Sequence, residues 1–265
     1  MRRELFHIGE FGVPAFGVML VVGFAVALWI AKRRTAKWGM QPDQVYDAAV
    51  WAIFPGILGA RIFSIAQNWS HYSQNLDELF SFRFEGMTSF GSFVFGGLGI
   101  YLWSRRAKVP MSAVFDVFAV PFLVANAFGR VGCLLNGCCH GPPTDSFLGV
   151  PVEGFEGKYQ PAQIYESLLD LAGAGLILLY ERKQRFLGAS MGLSFIVLGA
   201  ARFIYEFWRA GTVEEVRAGV ASSMYLGALP ITRAQLVALG IVAVGVVWYY
   251  FYRSRSVGTS NPENS

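Results

Sequence analysis

The sequence predicts an all-α membrane protein, a polytopic bundle of about seven transmembrane helices. Hydrophobic residues make up 54% of the 265 positions and charged residues 15%, which leaves too little polar surface for a soluble globule of this size. The basic residues, which give a net charge of +4, form short clusters between apolar runs. Because they make no continuous basic face, we expect no nucleic-acid partner.

Seven apolar runs are the candidate spans. In chain order they cover residues 13–31, 48–66, 90–103, 113–128, 162–180, 188–205 and 235–252. A bilayer requires roughly 20 residues per helix, so the third and fourth runs should tilt, extend or begin as re-entrant segments. We expect one transmembrane domain over residues 1–252, followed by a polar C-terminal tail over residues 253–265.

The orientation follows from lysine and arginine clusters in alternate connections. They are Lys32/Arg33/Arg34/Lys37, Arg105/Arg106/Lys108, Arg182/Lys183/Arg185 and Arg253/Arg255. Because basic connections stay in the cytoplasm, these clusters predict an N-out, C-in protein of the plasma membrane. Arg2 and Arg3 oppose this topology, since they lie on the predicted outer side.

Three arginines, Arg61, Arg130 and Arg202, fall where hydrocarbon is expected. A guanidinium near the bilayer centre costs at least about 2.5 kcal/mol on insertion scales and keeps its charge. One explanation is internal compensation, with Arg202 paired to Glu206 four residues later and Arg130 snorkelling to the interface. The other is that the arginines converge on an anionic group, for which a phospholipid phosphate fits their planar donor geometry.

A polar segment over residues 129–145 ends the fourth run in a Gly/Pro-rich loop. It contains Cys133, Asn136, Cys138, Cys139 and His140, which include candidates for a nucleophile, a general base and a hydrogen-bonding group. The thiols could attack a lipid, could form a disulfide from Cys133 to Cys138 or Cys139, or could be inert. Adjacent cysteines lack the two-residue gap of common zinc knuckles, so neither a metal nor another cofactor is expected.

Several motifs in this order resemble the bacterial prolipoprotein diacylglyceryl transferase family, and the similarity spans most of the chain. They are Leu58-Gly-Ala-Arg61-Ile, Ser89-Phe90, Gly129-Arg130-x-Gly-x-x-x-Asn136-Gly with Gly141 and Pro143-Thr144, Pro161-x-Gln163-Ile-Tyr165-Glu166, Arg202-Phe-Ile-x-Glu206-Phe-x-Arg209, and Thr232-Arg-x-Gln235-Leu. Each motif alone is weak, but their shared order and spacing make a strong signal.

Five positions depart from the family pattern. Gly91 stands where the family has a histidine that is important to its activity, and Leu198 replaces a tyrosine. Cys133 and Cys138 occupy asparagine and acidic positions, and Gln160 stands where His-Pro is usual. These departures are typical of a divergent member or paralogue.

The resemblance implies transfer of a diacylglyceryl group from phosphatidylglycerol to a cysteine thiol of a prolipoprotein or related acceptor. It implies that Arg130 and Arg202 hold the headgroup phosphate, with Arg61 or Arg209 as supporting charge. Site residues with other predicted roles are the lipid-orienting Asn136 and Gln163, the interfacial Tyr165, and the candidate bases His140, Glu166 and Glu206.

Two other functions stay open at this point. One is a membrane thiol oxidoreductase built on Cys133, Cys138 and Cys139, which would require quinone or protein contacts. The other is a catalytically inactive lipid-binding paralogue, suggested by the histidine and tyrosine that are replaced. For the transferase, we expect a multi-pass protein of the bacterial inner membrane whose site faces the outer leaflet.

Overall fold

The computed structural model describes residues 4–8, 11–73, 89–152, 156–183, 186–209 and 231–258, and helices dominate this part of the chain. The helices are α1 (Ala15–Arg34), α2 (Gln44–Gln67), α3 (Trp69–Tyr72), α4 (Ser89–Ala107), α5 (Met111–Leu135), α6 (Ala162–Glu181), α7 (Ala189–Arg209) and α8 (Arg233–Gly258). Two small antiparallel pairs accompany them, β1 (Glu4–Ile8) with β2 (Phe11–Pro14), and β3 (Val150–Pro151) with β4 (Lys158–Tyr159).

A long helix covers all or nearly all of each of the seven predicted apolar runs, which confirms the all-α fold class; only residues 13, 14 and 188 of these runs precede their helices. Within the described residues, six helices are long and apolar enough to cross a membrane. The exception is α4, which has 19 residues but carries four glycines and ends in Arg105 and Arg106. Glycine adds little hydropathy and the arginines subtract from it, so α4 falls short in composition although it is long enough. The chain is a multi-pass membrane protein.

The residues divide into two compact units. The large unit comprises Met1–Ala31 and Phe115–Ser265, and the small unit comprises Lys32–Val114. In the small unit, α2 and α4 pack closely at glycines. A Cβ atom at Gly91 would collide with the carbonyl of Gly59, and one at Gly99 would collide with the carbonyl of Trp51. Position 91 therefore serves helix contact and has no room for a side chain.

The core of the large unit forms between α5 and α6. Val120 and Leu123 of α5 and Ile177 of α6 are buried together. Leu198 of α7, at the position where the related family has a tyrosine, packs against this cluster. Gly192 of α7 and Gly245 of α8 also bring those helices together, since a Cβ atom at either glycine would crowd the other's carbonyl. Apolar packing and small residues thus position the helix ends that carry the polar groups.

Asp116 fixes the start of α7 in the large unit. Its Oδ2 accepts from the Gly188 backbone N–H at 2.6 Å, and its Oδ1 accepts from that of Met191 at 2.9 Å. These N–H groups belong to the first turn, where no intrahelical carbonyl is available. A fully buried carboxylate from α5 therefore caps α7 and sets its position against α5.

Candidate active site

A network of ion pairs lies at one end of the large unit, where α5 and α7 end and α6 and α8 begin. Arg130 of α5 reaches Glu166 of α6, with Nε and Oε2 separated by 2.7 Å. Arg202 of α7 approaches the same carboxylate oxygen at 4.0 Å. Two of the predicted membrane arginines therefore converge on one glutamate.

Glu206 is the second acidic centre of the network. Its Oε2 lies 3.8 Å from Nη2 of Arg202, which is the i,i+4 pairing expected from the sequence, and its Oε1 lies 3.4 Å from Nη1 of Arg209. Thr232 also donates its hydroxyl to Oε1 at 3.4 Å. Glu206 thus ties the end of α7 to the start of α8.

The motif that opens α8 is a capping box. The Gln235 backbone N–H donates to Thr232 Oγ1 at 3.1 Å, and the Thr232 backbone N–H donates to Gln235 Oε1 at 3.0 Å. This reciprocal pair satisfies two donors at the helix start and holds the Thr232 hydroxyl near Glu206. The sequence motif Thr232-Arg-x-Gln235 therefore has a direct structural reason.

The two kinds of charge differ in exposure. The side chains of Glu166 and Glu206 are 2% and 0% exposed, whereas those of Arg130, Arg202 and Arg209 are 21%, 26% and 18% exposed. The network carries one net positive charge, and its accessible parts are guanidiniums. Buried carboxylates beneath partly open arginines make a surface suited to an anion.

Tyr205 lies between the two main arginines. Its ring centroid is 4.7 Å from Cζ of Arg202 and 5.7 Å from Cζ of Arg130, so both guanidiniums are within cation–π range. The side chain is buried, and its hydroxyl has no hydrogen-bond partner within the described residues. Oε1 of the buried Gln163 is in the same situation. Buried polar atoms of this kind are expected where a ligand binds.

The cysteine loop begins with a Schellman motif at the end of α5. The Cys138 N–H donates to the Cys133 carbonyl, and the Gly137 N–H donates to the Leu134 carbonyl, both at 3.1 Å. Gly137 has the required left-handed conformation, with φ of 72°. In this motif the residues at the positions of Cys133 and Cys138 contact each other. The run Cys133-Leu-Leu-Asn136-Gly-Cys138 therefore brings two thiols together by backbone geometry.

Cys139 completes the cluster. It adopts φ of 64°, unusual for a residue with a side chain, and the sulfur atoms of Cys133, Cys138 and Cys139 all lie within 4.8 Å of one another. Hydrogen bonding from Cys133 is the largest influence on the Cys139 thiol and lowers its pKa below the ordinary value. Cys138, Arg130 and Arg209 act in the same direction, while partial burial opposes them. The three thiols are free.

Gln163 links the start of α6 to the loop. Its Nε2 donates to the Cys138 carbonyl at 2.5 Å. Asn136, at the C-cap of α5, continues the helical bonding through its backbone N–H, which donates to the Gly132 carbonyl at 3.0 Å. Both predicted lipid-orienting residues therefore belong to the same loop-and-helix junction, and Gln163 also holds the cysteine loop in position.

His140 and Gly141 follow the cysteines. The His140 Nδ1 lies 2.8 Å from the Gly141 carbonyl, and its ring meets that of Tyr159 edge-on at 4.7 Å. Because a carbonyl only accepts, this contact assigns the hydrogen to Nδ1 and the lone pair of the neutral ring to Nε2. A Cβ atom at Gly141 would collide with the carbonyl of Trp208, so glycine permits the loop to approach the end of α7.

Tyr165 anchors the loop from α6. Its hydroxyl donates to Gln160 Oε1 at 3.2 Å, and Gln160 Nε2 donates to Thr144 Oγ1 at 3.0 Å. Its ring lies 5.1 Å from that of Trp208. Gln160, one of the five departures from the family pattern, is thus the middle residue of a hydrogen-bonded chain from Tyr165 to Thr144 beside the candidate site.

Arg61 belongs to the small unit. Its Nη1 donates to the Tyr72 hydroxyl at 3.4 Å, and its Cζ lies 5.3 Å from the Tyr72 ring centroid. Its predicted role as a supporting charge stays a prediction. Ser89 and Phe90 begin α4, and their side chains lie outside the described residues.

The sequence reasoning missed Tyr205 and a second polar pair. Asn126 of α5 donates to Asp170 Oδ2 of α6 at 2.6 Å, and Asp170 is fully buried. Asp170 lies one helical turn after Glu166, within a predicted span. An acidic residue inside an apolar run is itself a signal of a polar site, and it could have been identified on that ground.

Comparison with known proteins gives one consistent family. The family model described as prolipoprotein diacylglyceryl transferase matches residues 3–251. A phosphatidylglycerol–prolipoprotein diacylglyceryl transferase of Clostridium tetani is 29% identical over 214 residues, which cover 79% of this chain and 86% of the relative. Phosphatidylglycerol–prolipoprotein diacylglyceryl transferase 2 of Clostridium perfringens is 30% identical over 79% of this chain and 84% of its own length. The protein of that name in Clostridioides difficile is 26% identical over 99% of this chain and 100% of its own length.

Proposed function

The chain belongs to the prolipoprotein diacylglyceryl transferase family, and from this membership we propose that it moves a diacylglyceryl group from phosphatidylglycerol to a cysteine thiol. The acceptor is a prolipoprotein or a related protein or peptide. The names of the similar proteins include both phosphatidylglycerol, which is the donor, and prolipoprotein, which is the acceptor. The family match and these relatives support a transferase over a thiol oxidoreductase or an inactive lipid-binding paralogue.

The observation that carries the proposal is the set of partly exposed guanidiniums that pair with the buried Glu166 and Glu206. We assign the phosphate of the donor to Arg130 and Arg202, with Arg209 as supporting charge. The two glutamates position these side chains, since each of the three arginines contacts at least one of them. Arginines held this way need little reorganisation when negative charge develops on the leaving group.

The reaction follows from this arrangement. The acceptor sulfur attacks the glyceryl carbon that bears the phosphate, and a carbon–sulfur bond forms. The carbon–oxygen bond to the phosphate breaks, and its electron pair leaves with glycerol phosphate. Arg130 and Arg202 stabilise that leaving group, while Asn136 and Gln163 orient the lipid oxygens.

The thiol must lose its proton before or during the attack. Nε2 of His140 is the nitrogen with the lone pair, so His140 is the base that this proposal favours. Glu166 and Glu206 suit this role less well, because their carboxylates are engaged with arginines and buried. Tyr165 holds the loop that carries His140 rather than contacting the reacting atoms.

The position of the same network supports our proposal for the side of the membrane that the site faces. It lies where α5 and α7 end and α6 and α8 begin. Arg182 and Lys183 follow α6 at its other end, and Arg253 and Arg255 lie at the other end of α8. Because basic clusters favour the cytoplasmic side, this placement supports a site that faces the outer leaflet of the inner membrane.

The test measures release of labelled glycerol phosphate from phosphatidylglycerol by the purified protein. Release should require a lipobox peptide with a cysteine and should not occur with the matched serine peptide. Release without any thiol would indicate a phospholipase instead, and no release with either peptide would contradict the transferase.

A further inference from the structure

The three cysteines have the spacing of a metal site. Zinc–sulfur bonds are about 2.3 Å long, so sulfurs around one ion lie about 4 Å apart. The sulfurs of Cys133, Cys138 and Cys139 all lie within 4.8 Å of one another, and the side chains are partly accessible. A small inward adjustment of the thiols would close this triangle around an ion.

We propose that Cys133, Cys138 and Cys139 form a three-thiolate site for a thiophilic divalent cation, best matched by Zn²⁺, and that its remaining position binds the acceptor thiol. This second part rests on the proposed function, which supplies a thiol as acceptor. Three protein ligands with one open position are the usual arrangement of catalytic zinc. Thiolates also exclude the harder cations Mg²⁺ and Ca²⁺, which prefer oxygen.

Backbone geometry replaces the usual zinc-knuckle spacing. The sequence lacks a two-residue gap between cysteines, but the Schellman motif of α5 brings Cys133 to Cys138 with Gly137 at the turn. Cys139 then turns back through a left-handed conformation, with φ of 64°. Such a conformation is unfavourable for a residue with a Cβ atom. Strain at a cluster of ligand-type residues is an observation that points to a site.

The charges around the cluster suit a bound cation with three thiolates. Three thiolates and one divalent ion carry one net negative charge. Arg130 lies three residues before Cys133 on the same face of α5, and its positive charge offsets that negative charge. Gln163 holds the loop through the Cys138 carbonyl, and the Cys138 thiol, which donates to the Cys133 carbonyl at 3.5 Å, would exchange this bond for the ion. The metal would therefore lie beside the proposed phosphate site.

The chemistry of such an ion fits thiol alkylation. A thiol that coordinates Zn²⁺ loses its proton, here to His140 or to water. The metal-bound sulfur then uses an electron pair to attack the glyceryl carbon, and the phosphate oxygen departs with the pair of the broken carbon–oxygen bond. No oxidant or reductant takes part. The ion would thus activate the acceptor in a protein that has Gly91 where its family has a histidine.

Cobalt is the probe for the site, because Co²⁺ bound by thiolates absorbs by sulfur-to-metal charge transfer in the near ultraviolet. The full chain, purified in detergent and stripped with reductant and chelator, should bind one Co²⁺ with this band, and Zn²⁺ should abolish it. Cys133→Ser and Cys138→Ser should lose the band. His140→Ala should retain it, because His140 is not a ligand in this proposal.

Cys139→Gly separates loss of a ligand from loss of the fold. Glycine favours the left-handed conformation at this position, so the metal-free variant should have a higher Tm than the metal-free wild type. It should nevertheless lose the cobalt band and any stabilisation by Zn²⁺. A Cys139→Gly protein that binds Co²⁺ like the wild type would overturn the three-thiolate site.

Binding of the acceptor thiol is tested with the same charge-transfer band of the Co²⁺ protein. A lipobox peptide with cysteine should intensify the charge-transfer absorption of the Co²⁺ protein, and the serine peptide should leave it unchanged. Equal spectra with both peptides would overturn binding of the acceptor thiol by the metal.

A Cys133–Cys138 disulfide in the purified protein, with no metal binding after reduction, would overturn the site itself.

Turnover distinguishes this proposal from the transferase assignment. If the triple Cys→Ser variant transfers lipid at the wild-type rate, the metal proposal fails and the transferase stands. If the Zn²⁺-loaded protein binds the peptide thiol but releases no glycerol phosphate from phosphatidylglycerol, the transferase fails and the metal site stands.

Discussion

Arg130 and Glu166 form an ion pair with 2.7 Å between Nε and Oε2, and only the arginine is accessible. The pair joins the end of α5 to the beginning of α6. It explains why a glutamate is buried in a membrane protein and why Arg130 is held in a fixed orientation. The contribution of this pair to stability can therefore be measured separately from the contribution of Arg130 to activity.

Arg130→Ala should lower the free energy of unfolding by about 3 kcal/mol, because it leaves Glu166 buried without its main counterion. Arg130→Met combined with Glu166→Leu should recover most of that stability, since an apolar pair of similar volume replaces the ions. Thermal unfolding in detergent measures both effects. The double variant should remain inactive because the phosphate ligand is gone, and recovered activity would contradict the role of Arg130.

Arg202→Lys should reduce turnover of phosphatidylglycerol by about 100-fold while the protein stays folded, because lysine keeps the charge but loses the planar pair of donors. The exposed Arg253 is the matched control, and Arg253→Lys should retain the wild-type rate. Initial rates at saturating peptide measure the effect. A wild-type rate in Arg202→Lys would show that point charge alone is sufficient at this position.

Gly91→His, which restores the residue usual in the family, should destabilise the protein by about 1–3 kcal/mol or more through overpacking. The added Cβ would collide with the Gly59 carbonyl where α2 meets α4. Gly97 on the same helix is the control, since a Cβ there has no neighbour within 4 Å. Gly97→His should therefore be tolerated in thermal unfolding. A Gly91→His protein as stable as Gly97→His, with increased turnover, would contradict the close helix contact.

Asp116→Asn should lower the free energy of unfolding by about 1–3 kcal/mol, because the amide has only one acceptor oxygen and one of the two backbone N–H groups at the start of α7 loses its partner. Asp116 lies far along α5 from Arg130, so turnover per folded molecule should be unchanged. Asp145→Asn, at an exposed loop residue, should alter neither quantity. A lower rate per folded molecule in Asp116→Asn would indicate that the cap also controls the site.

The sequence was sufficient for the fold class because hydropathy in a bilayer is a strong and local signal. Each of the seven apolar runs became a helix, and the motif around Arg202 and Glu206 gave their pairing through simple helical spacing. The convergence of Arg130 and Arg202 on Glu166 was not predictable in detail. It depends on how three helices pack, which apolar periodicity does not specify.

The cysteine cluster, unlike the fold class, was not predicted from the sequence. Spacing rules for metal sites gave no indication of it, because they describe cysteines on short loops and not cysteines at the end of a helix. Recognising Asn136-Gly137 as a helix stop would have placed Cys133 and Cys138 in contact. The position of Cys139 depends on a left-handed residue, which sequence alone does not reveal for cysteine.

The most direct measurement is the mass of a lipobox peptide after incubation with phosphatidylglycerol and either the wild-type protein or its Arg202→Ala variant. The wild type should add one diacylglyceryl group in a thioether bond to the peptide cysteine. Arg202→Ala, correctly inserted and folded, should add at least about 100-fold less. An unmodified peptide with the wild type, or equal modification with both proteins, would contradict a transferase that holds its donor through Arg130 and Arg202.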